Sequence, residues 1–264
     1  MLTRRFFAAF AALAVIAAAN FASAETKLPA KDKFHLFLLV GQSNMAGRGK
    51  VEDEDKRPDP RVLALNKAGE WVPAVDPIHF DKGAAGVGLG KSFGLQIAEA
   101  NPGITIGLIP CAVGGSPIDS WKPGEFYKPT NSHPWDDAIK RAKLAVEKGT
   151  LKGILWHQGE SDSNAKLAPT YDAKLQDLVK RFRAELGSDV PFLVGQIGQF
   201  EDVPWDEYNR QVDQAHQNLS KHVVNAAYVS AAGLKHKGDK VHFDSASLRE
   251  FGKRYAEAFT KLTK

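Results

Sequence analysis

A single cysteine, Cys111, in 264 residues excludes an internal disulfide, so stability has to come from a packed core. Cys111 falls in the apolar stretch Ile104 to Val113, which suits a small buried hydrophobe better than a nucleophile. Metal-ligating residues are sparse as well. His157 and Glu160 follow one apolar run and read as polar groups satisfied in the core or as half a metal site. No further ligand stands at a suitable spacing, so neither a metal nor another cofactor is expected. The chain has no internal repeat, low-complexity tract or Gly/Ser-rich linker, and residues 25–264 read as one domain. No basic run or basic amphipathic stretch offers a surface to nucleic acid or to a membrane. The one dense charge run, Glu52 to Arg57, holds four acids and then two bases and reads as a solvated loop.

A long apolar stretch occurs only at the start. Residues 1–24 carry Arg4 and Arg5, an apolar segment from Phe6 to Ala19, and then Ala22-Ser23-Ala24. This is the order of a secretory signal peptide cleaved after Ala24, and the apolar segment is short for a membrane anchor of about 20 residues. Thr3 to Phe7 also resembles a twin-arginine signal, so export by the Sec or the twin-arginine route is expected, with no stable anchor after cleavage. Removing Arg4 and Arg5, with no acid alongside them, lowers the net charge from +4 to +2. A balance so close to neutral says little about partners.

What remains is five short apolar runs: Phe34 to Val40, Ile104 to Cys111, Leu151 to Trp156, Pro191 to Ile197, and Val223 to Val229. They are continuous rather than alternating, as in strands covered on both faces of a parallel sheet. Segments with helical spacing lie between them, at 135–148, 171–186 and 205–219. In the last helix Leu248, Phe251, Tyr255, Phe259 and Leu262 form one apolar stripe, with Asp244 or Ser245 as its N-cap. The alternation predicts an α/β domain with a five-stranded parallel sheet between helical layers. Pro58 to Gly90 fits it poorly and reads as a long excursion over the rim of the site.

Ligands of such sheets bind beyond the carboxyl ends of the strands. Gly41 to Gly47 follows the first run, Val113 to Ser116 the second, His157 to Asp162 the third, and Asp239 to His242 the fifth. Each suits a role in acyl transfer. Ser43, in a glycine-flanked turn, is the candidate nucleophile, and a serine hydroxyl needs a base within hydrogen-bond reach. His242 is the candidate base, because Asp239 three residues earlier can reach one ring nitrogen while the other faces the serine. The backbone N–H groups of Gly115 and Ser43 and the side-chain amide of Gln158 are candidate donors to an oxyanion. Trp121, Trp205 and Tyr208 could stack on sugar rings or pack in the core. Arg48 could contact a substrate or brace the turn after Ser43.

Gly41-Gln42-Ser43-Asn44-Met45, Gly114-Gly115, His157-Gln158-Gly159-Glu160-Ser161 and Asp239-Lys240-Val241-His242 together resemble the SGNH hydrolase superfamily. Within it they resemble carbohydrate esterase family six and the sialate O-acetylesterases, over about Phe34 to Phe259. The resemblance implies a flavodoxin-like three-layer α/β/α fold and a metal-independent serine esterase that removes acetyl groups from carbohydrate. Ser43, Gly115, Gln158 and His242 would head its four motif blocks. The wider superfamily has Asn in the third block, whereas the carbohydrate esterase branch shares Gln158. The family leaves open whether Asp239 or Glu160 is the acid partner; Asp239 has the better local spacing, and Glu160 reads as a brace of its loop. The substrate is then acetylxylan or a similar polysaccharide, or else a sialate or other small sugar. A catalytically silent carbohydrate-binding protein would have no need of Ser43, Asp239 and His242 together.

Overall fold

The computed structural model describes residues 28–187 and 189–264, so the expected signal peptide, 1–24, lies outside the described residues. The apolar runs become strands because both faces of the sheet are covered. In β1 (Phe34–Gly41) successive side chains point to opposite faces. Phe34, Leu36, Leu38 and Val40 join one core layer, Phe37 and Leu39 the other, and all are fully buried. Each such side chain contributes about 1.5–3 kcal/mol of transfer free energy. The continuous hydrophobicity of the run follows directly.

The remaining strands are β2 (Val62–Leu65), β3 (Trp71–Pro73), β4 (Thr105–Pro110), β5 (Thr150–His157), β6 (Phe192–Gly195) and β7 (Ala226–Val229). Their order in the sheet is β3-β2-β4-β1-β5-β6-β7, and only the β2–β3 pair is antiparallel. The five expected strands are all present, in the order β4-β1-β5-β6-β7, which is a doubly wound order with its switch point between β1 and β5. The sheet itself has seven strands and is mixed, not five and parallel. The added pair comes from Pro58 to Gly90, which was expected to lie over the rim. Its strands are four and three residues long, too short for a period to show. A tight turn joins them: Asn66 N–H donates to the Glu70 carbonyl at 2.8 Å, and Gly69 adopts φ +85°.

Helices α3 (Pro134–Val146), α4 (Ala168–Leu186) and α5 (Glu207–His222) pack on the face that carries Leu36 and Val40. On the other face lie α2 (Leu89–Ala100) and α6 (Ser245–Leu262). The expected cap of α6 is Asp244, whose carboxylate accepts the Ser247 N–H at 2.7 Å. Helices α2 and α6 meet at backbone distance at Gly252, where a Cβ would stand 2.8 Å from the Phe93 nitrogen. The short helix α1 (Ser43–Ala46) follows β1 directly.

Candidate active site

The register of the sheet brings the motif segments together. Gly41 at the end of β1 pairs with His157 at the end of β5, and the next N–H, of Gln42, donates to the His157 carbonyl at 2.8 Å. Gly41 has φ +129°, and a Cβ there would overlap the His157 carbonyl, so only glycine allows this approach. The Val113 N–H then donates to the Gly41 carbonyl at 2.9 Å, placing Gly114 and Gly115 at the same edge.

Ser43 opens α1 and is 6% exposed. Its Oγ lies 3.0 Å from Nε2 of His242, and Nδ1 of His242 lies 2.7 Å from Oδ2 of Asp239. The second carboxylate oxygen of Asp239 accepts the N–H groups of Val241 (3.1 Å) and His242 (2.8 Å). Partial burial works against the Asp239 charge. The His242 N–H, its ring and the Val241 N–H outweigh that and hold the carboxyl far below the usual carboxylate range. Three side chains thus form one row: an acid held in its ionised form, an imidazole hydrogen-bonded to it, and a hydroxyl whose proton the imidazole can take.

Glu160, the other candidate acid, makes no hydrogen bond to His242 among the described residues. Its Oε1 accepts from Asn44 Nδ2 at 2.6 Å and lies 3.6 Å from His157 Nε2. Burial alone would raise this carboxyl, and the nearby His157 ring and the hydrogen bond from Asn44 bring it below its ordinary value. Asn44 also donates to the Val241 carbonyl (3.2 Å) and accepts the Phe243 N–H (3.1 Å). It is fully buried and ties the serine turn, the third motif and the histidine loop together. Spacing within the first motif gave no hint of that role.

Of the three expected donor groups, the N–H groups of Gly115 and Ser43 are free among the described residues and the Gln158 amide is engaged. Gly115 has φ +81°, and its N–H donates to no acceptor among the described residues. Ser43, as the first residue of α1, has no intrahelical acceptor for its own N–H. Gln158, expected to offer its amide, is wholly buried and has no hydrogen to spare: Nε2 donates to Asp162 at 2.5 Å and lies 3.2 Å from both the Ser116 carbonyl and Gln42 Oε1. Its own carbonyl accepts from Tyr171 at 2.8 Å. The free amide is that of Gln42. Its Oε1 must face the Ser161 N–H (3.3 Å), since a backbone N–H can only donate, and Nε2 then has no protein acceptor among the described residues.

Arg48 is a brace. It pairs with Asp81 at 2.7 Å, both side chains nearly fully buried, and Asp81 also accepts the Gly114 N–H at 2.8 Å. Trp121 is core, fully buried and edge-on to Trp156 with centroids 5.2 Å apart. Trp205 is half-buried, its indole N–H donating to the Gly198 carbonyl at 2.8 Å, and Tyr208 is half-buried beside it in the sequence. Burial pushes the Cys111 thiol up to about 12, which leaves no thiolate near neutral pH.

The model of the family described as carbohydrate esterase, sialic acid-specific acetylesterase, matches residues 33–261. A protein of Arabidopsis thaliana described as a probable carbohydrate esterase is 30% identical over 245 residues, covering 85% of this chain and 89% of its own. The solved structure of that plant protein superposes with a TM-score of 0.77 at 29% identity, over 88% of this chain and 99% of the other. NanS (TM-score 0.71, 18% identity, 89% and 99% covered) and a carbohydrate acetylesterase of Xanthomonas citri (0.68, 19%, 86% and 56%) share the fold. This chain belongs to the carbohydrate esterase family of the sialic acid-specific acetylesterases, and it is a carboxylic ester hydrolase.

Proposed function

We propose that the protein is a serine esterase that releases acetate from O-acetylated sugar through an acetyl-enzyme, with Ser43 as nucleophile, His242 as general base and Asp239 as the acid that orients it. The observation that carries this reading is the position of His242, 3.0 Å from the Ser43 hydroxyl and 2.7 Å from Asp239. As the Ser43 Oγ–carbon bond forms, the hydroxyl proton passes to Nε2 of His242, and the sugar oxygen leaves with that proton. Water, deprotonated by the same nitrogen, then attacks the acetyl carbon, and acetate departs as Ser43 recovers its proton. The N–H groups of Ser43 and Gly115 and the amide of Gln42 serve the developing oxyanion, each such donor being worth about 3 kcal/mol.

One observation bears on the sugar. Lys82 is exposed, has no ion-pair partner among the described residues, and its Nζ lies 4.0 Å from where a Cβ on Gly115 would stand. A free ammonium beside the oxyanion turn suits a substrate with a carboxylate, which favours an O-acetylated acidic sugar over a neutral acetylxylan. Export through the N-terminal signal would bring the enzyme to such sugars outside the cytoplasm. The test is hydrolysis of a chromogenic acetate ester by the protein and by Ser43→Ala, with circular dichroism to show that the variant folds. Full activity in the variant would end the mechanism. Acetate release from O-acetylated sialic acid and from acetylxylan, measured side by side, decides between the two sugars.

A further inference from the structure

His236 lies in the loop between β7 and α6 that also holds Asp239 and His242. Backbone bonds tie the flanks of this loop: Lys237 N–H to the His242 carbonyl (2.9 Å) and Asp244 N–H to the Lys235 carbonyl (3.0 Å). Its tip turns through two residues of positive φ, Gly238 (+109°) and Lys240 (+64°), and so leaves the extended conformation that would let a strand pair with it. Two side chains take up the N–H groups of the tip. Asp239 accepts those of Val241 and His242. His236 Nδ1 lies 2.9 Å from the Gly238 nitrogen and 3.3 Å from that of Lys240, the two residues on either side of Asp239.

Backbone N–H groups can only donate, so Nδ1 of His236 is a bare lone pair and the ring proton is on Nε2. That nitrogen faces the Asp202 carboxylate at 2.9 and 3.1 Å, and the Phe200 ring packs against the imidazole with centroids 5.0 Å apart. Asp202 therefore selects the tautomer, and the tautomer presents an acceptor to the turn.

We propose that His236 is a positioning residue of the esterase site: held by Asp202 as its Nε2–H tautomer, it clamps Gly238 and Lys240 through Nδ1 and so fixes Asp239 against His242. This rests on the reading of Ser43, His242 and Asp239 given above. A surface ion pair between His236 and Asp202 would use Nε2 and leave Nδ1 idle, and the two nitrogens can be removed separately. In His236→Asn the amide oxygen stands near the place of Nδ1 and keeps the clamp without reaching Asp202. In His236→Gln the side chain reaches Asp202 and has no acceptor where Nδ1 was.

With a chromogenic acetate ester, His236→Asn keeps kcat within about threefold of the parent, whereas His236→Gln loses about tenfold or more with KM unchanged within about twofold, as misplacing a catalytic group does. Retention by Gln and loss by Asn, equal loss in both, or no loss in either overturns the proposal. Nitrogen-15 NMR of the unsubstituted protein near neutral pH supplies a reading that depends on no variant's folding. It shows Nδ1 of His236 as the unprotonated nitrogen, and a proton found there overturns the proposal. Ser43→Ala runs alongside: activity surviving in it ends the reading of the site itself, and the NMR result then still decides whether His236 holds the loop.

Discussion

Replacing Asn44 tests whether the site is held by the side chain next to the nucleophile. Asn44→Ala removes one hydrogen bond to a carboxylate, from Nδ2 to Glu160 at 2.6 Å, and two to backbone groups of the histidine loop at 3.1 and 3.2 Å. With about 1.5–3 kcal/mol for a bond to a charged group and about 0.5–1.5 for each neutral one, the loss amounts to about 2.5–6 kcal/mol. For a domain of this size that lowers the melting temperature by about 10 °C. The histidine loop then lacks its Asn44 ties to the serine turn, and a displacement of about 1 Å lowers kcat about a hundredfold. Asn44→Asp sharpens the test because it keeps shape and the acceptor for Phe243. It also sets a second carboxylate against Glu160, and two such groups at hydrogen-bond distance cannot both ionise. One of them must hold a proton, so the deficit of Asn44→Asp is smallest in acid and grows as pH rises past the pair's raised pKa. Initial rates on a chromogenic acetate and melting curves between about pH 5 and pH 8 measure both effects. If Asn44→Asp matches the parent throughout that range, or Asn44→Ala keeps kcat and melting temperature, the argument is refuted.

Asp239→Asn is expected to lower kcat far more than Glu160→Gln, because only Asp239 touches His242; steady-state rates that rank them in the opposite order would move the orienting role to Glu160. Asp76 is pushed up to about 7 by burial. The native state therefore holds a proton that the unfolded chain has lost above about pH 4, and this residue costs stability increasingly as pH rises from about 4 to about 7. Urea unfolding should show Asp76→Asn gaining on the parent by up to about 4 kcal/mol across that window; a difference that does not change with pH would refute it. Gly252→Ala puts a methyl group against the backbone of α2 and should cost about 1–3 kcal/mol or more in the same assay. An unchanged midpoint would mean the two helices can part without penalty.

The strands of the sheet's centre could be read from the chain because both faces are buried, which leaves uninterrupted apolar runs; the α6 stripe was equally plain, and its cap was narrowed to Asp244 or Ser245. The β2–β3 pair was not, since so short a hairpin carries no period and lies among prolines that suggest a loop. Ser43, Asp239 and His242, which the structure brings within hydrogen-bond distance of one another, could be singled out because their signals are local: a residue type, a turn and a three-residue spacing. The parts played by Asn44 and Gln42 were missed because they act across the fold. Asn44 reaches residues 116 and 197 positions away, and the amide of Gln42 is free because Gln158 and Ser161 both donate to its other end. The acidic run at Glu52 is the solvated loop expected of it except at Asp55, which is 4% exposed. Glu52, Glu54 and Asp55 converge on Arg249, a tie to α6 that the run alone did not announce.

Ser43 and His242, the proposed nucleophile and base, stand 199 positions apart in the chain. Ser43 stands at the end of the central strand, and His242 arrives on the loop that leads into α6, after every strand of the sheet. A contact of such long range can close only when nearly all the intervening structure is in place. On the proposed mechanism, folding itself would arm the enzyme: a chain still being synthesised carries a serine with no partner.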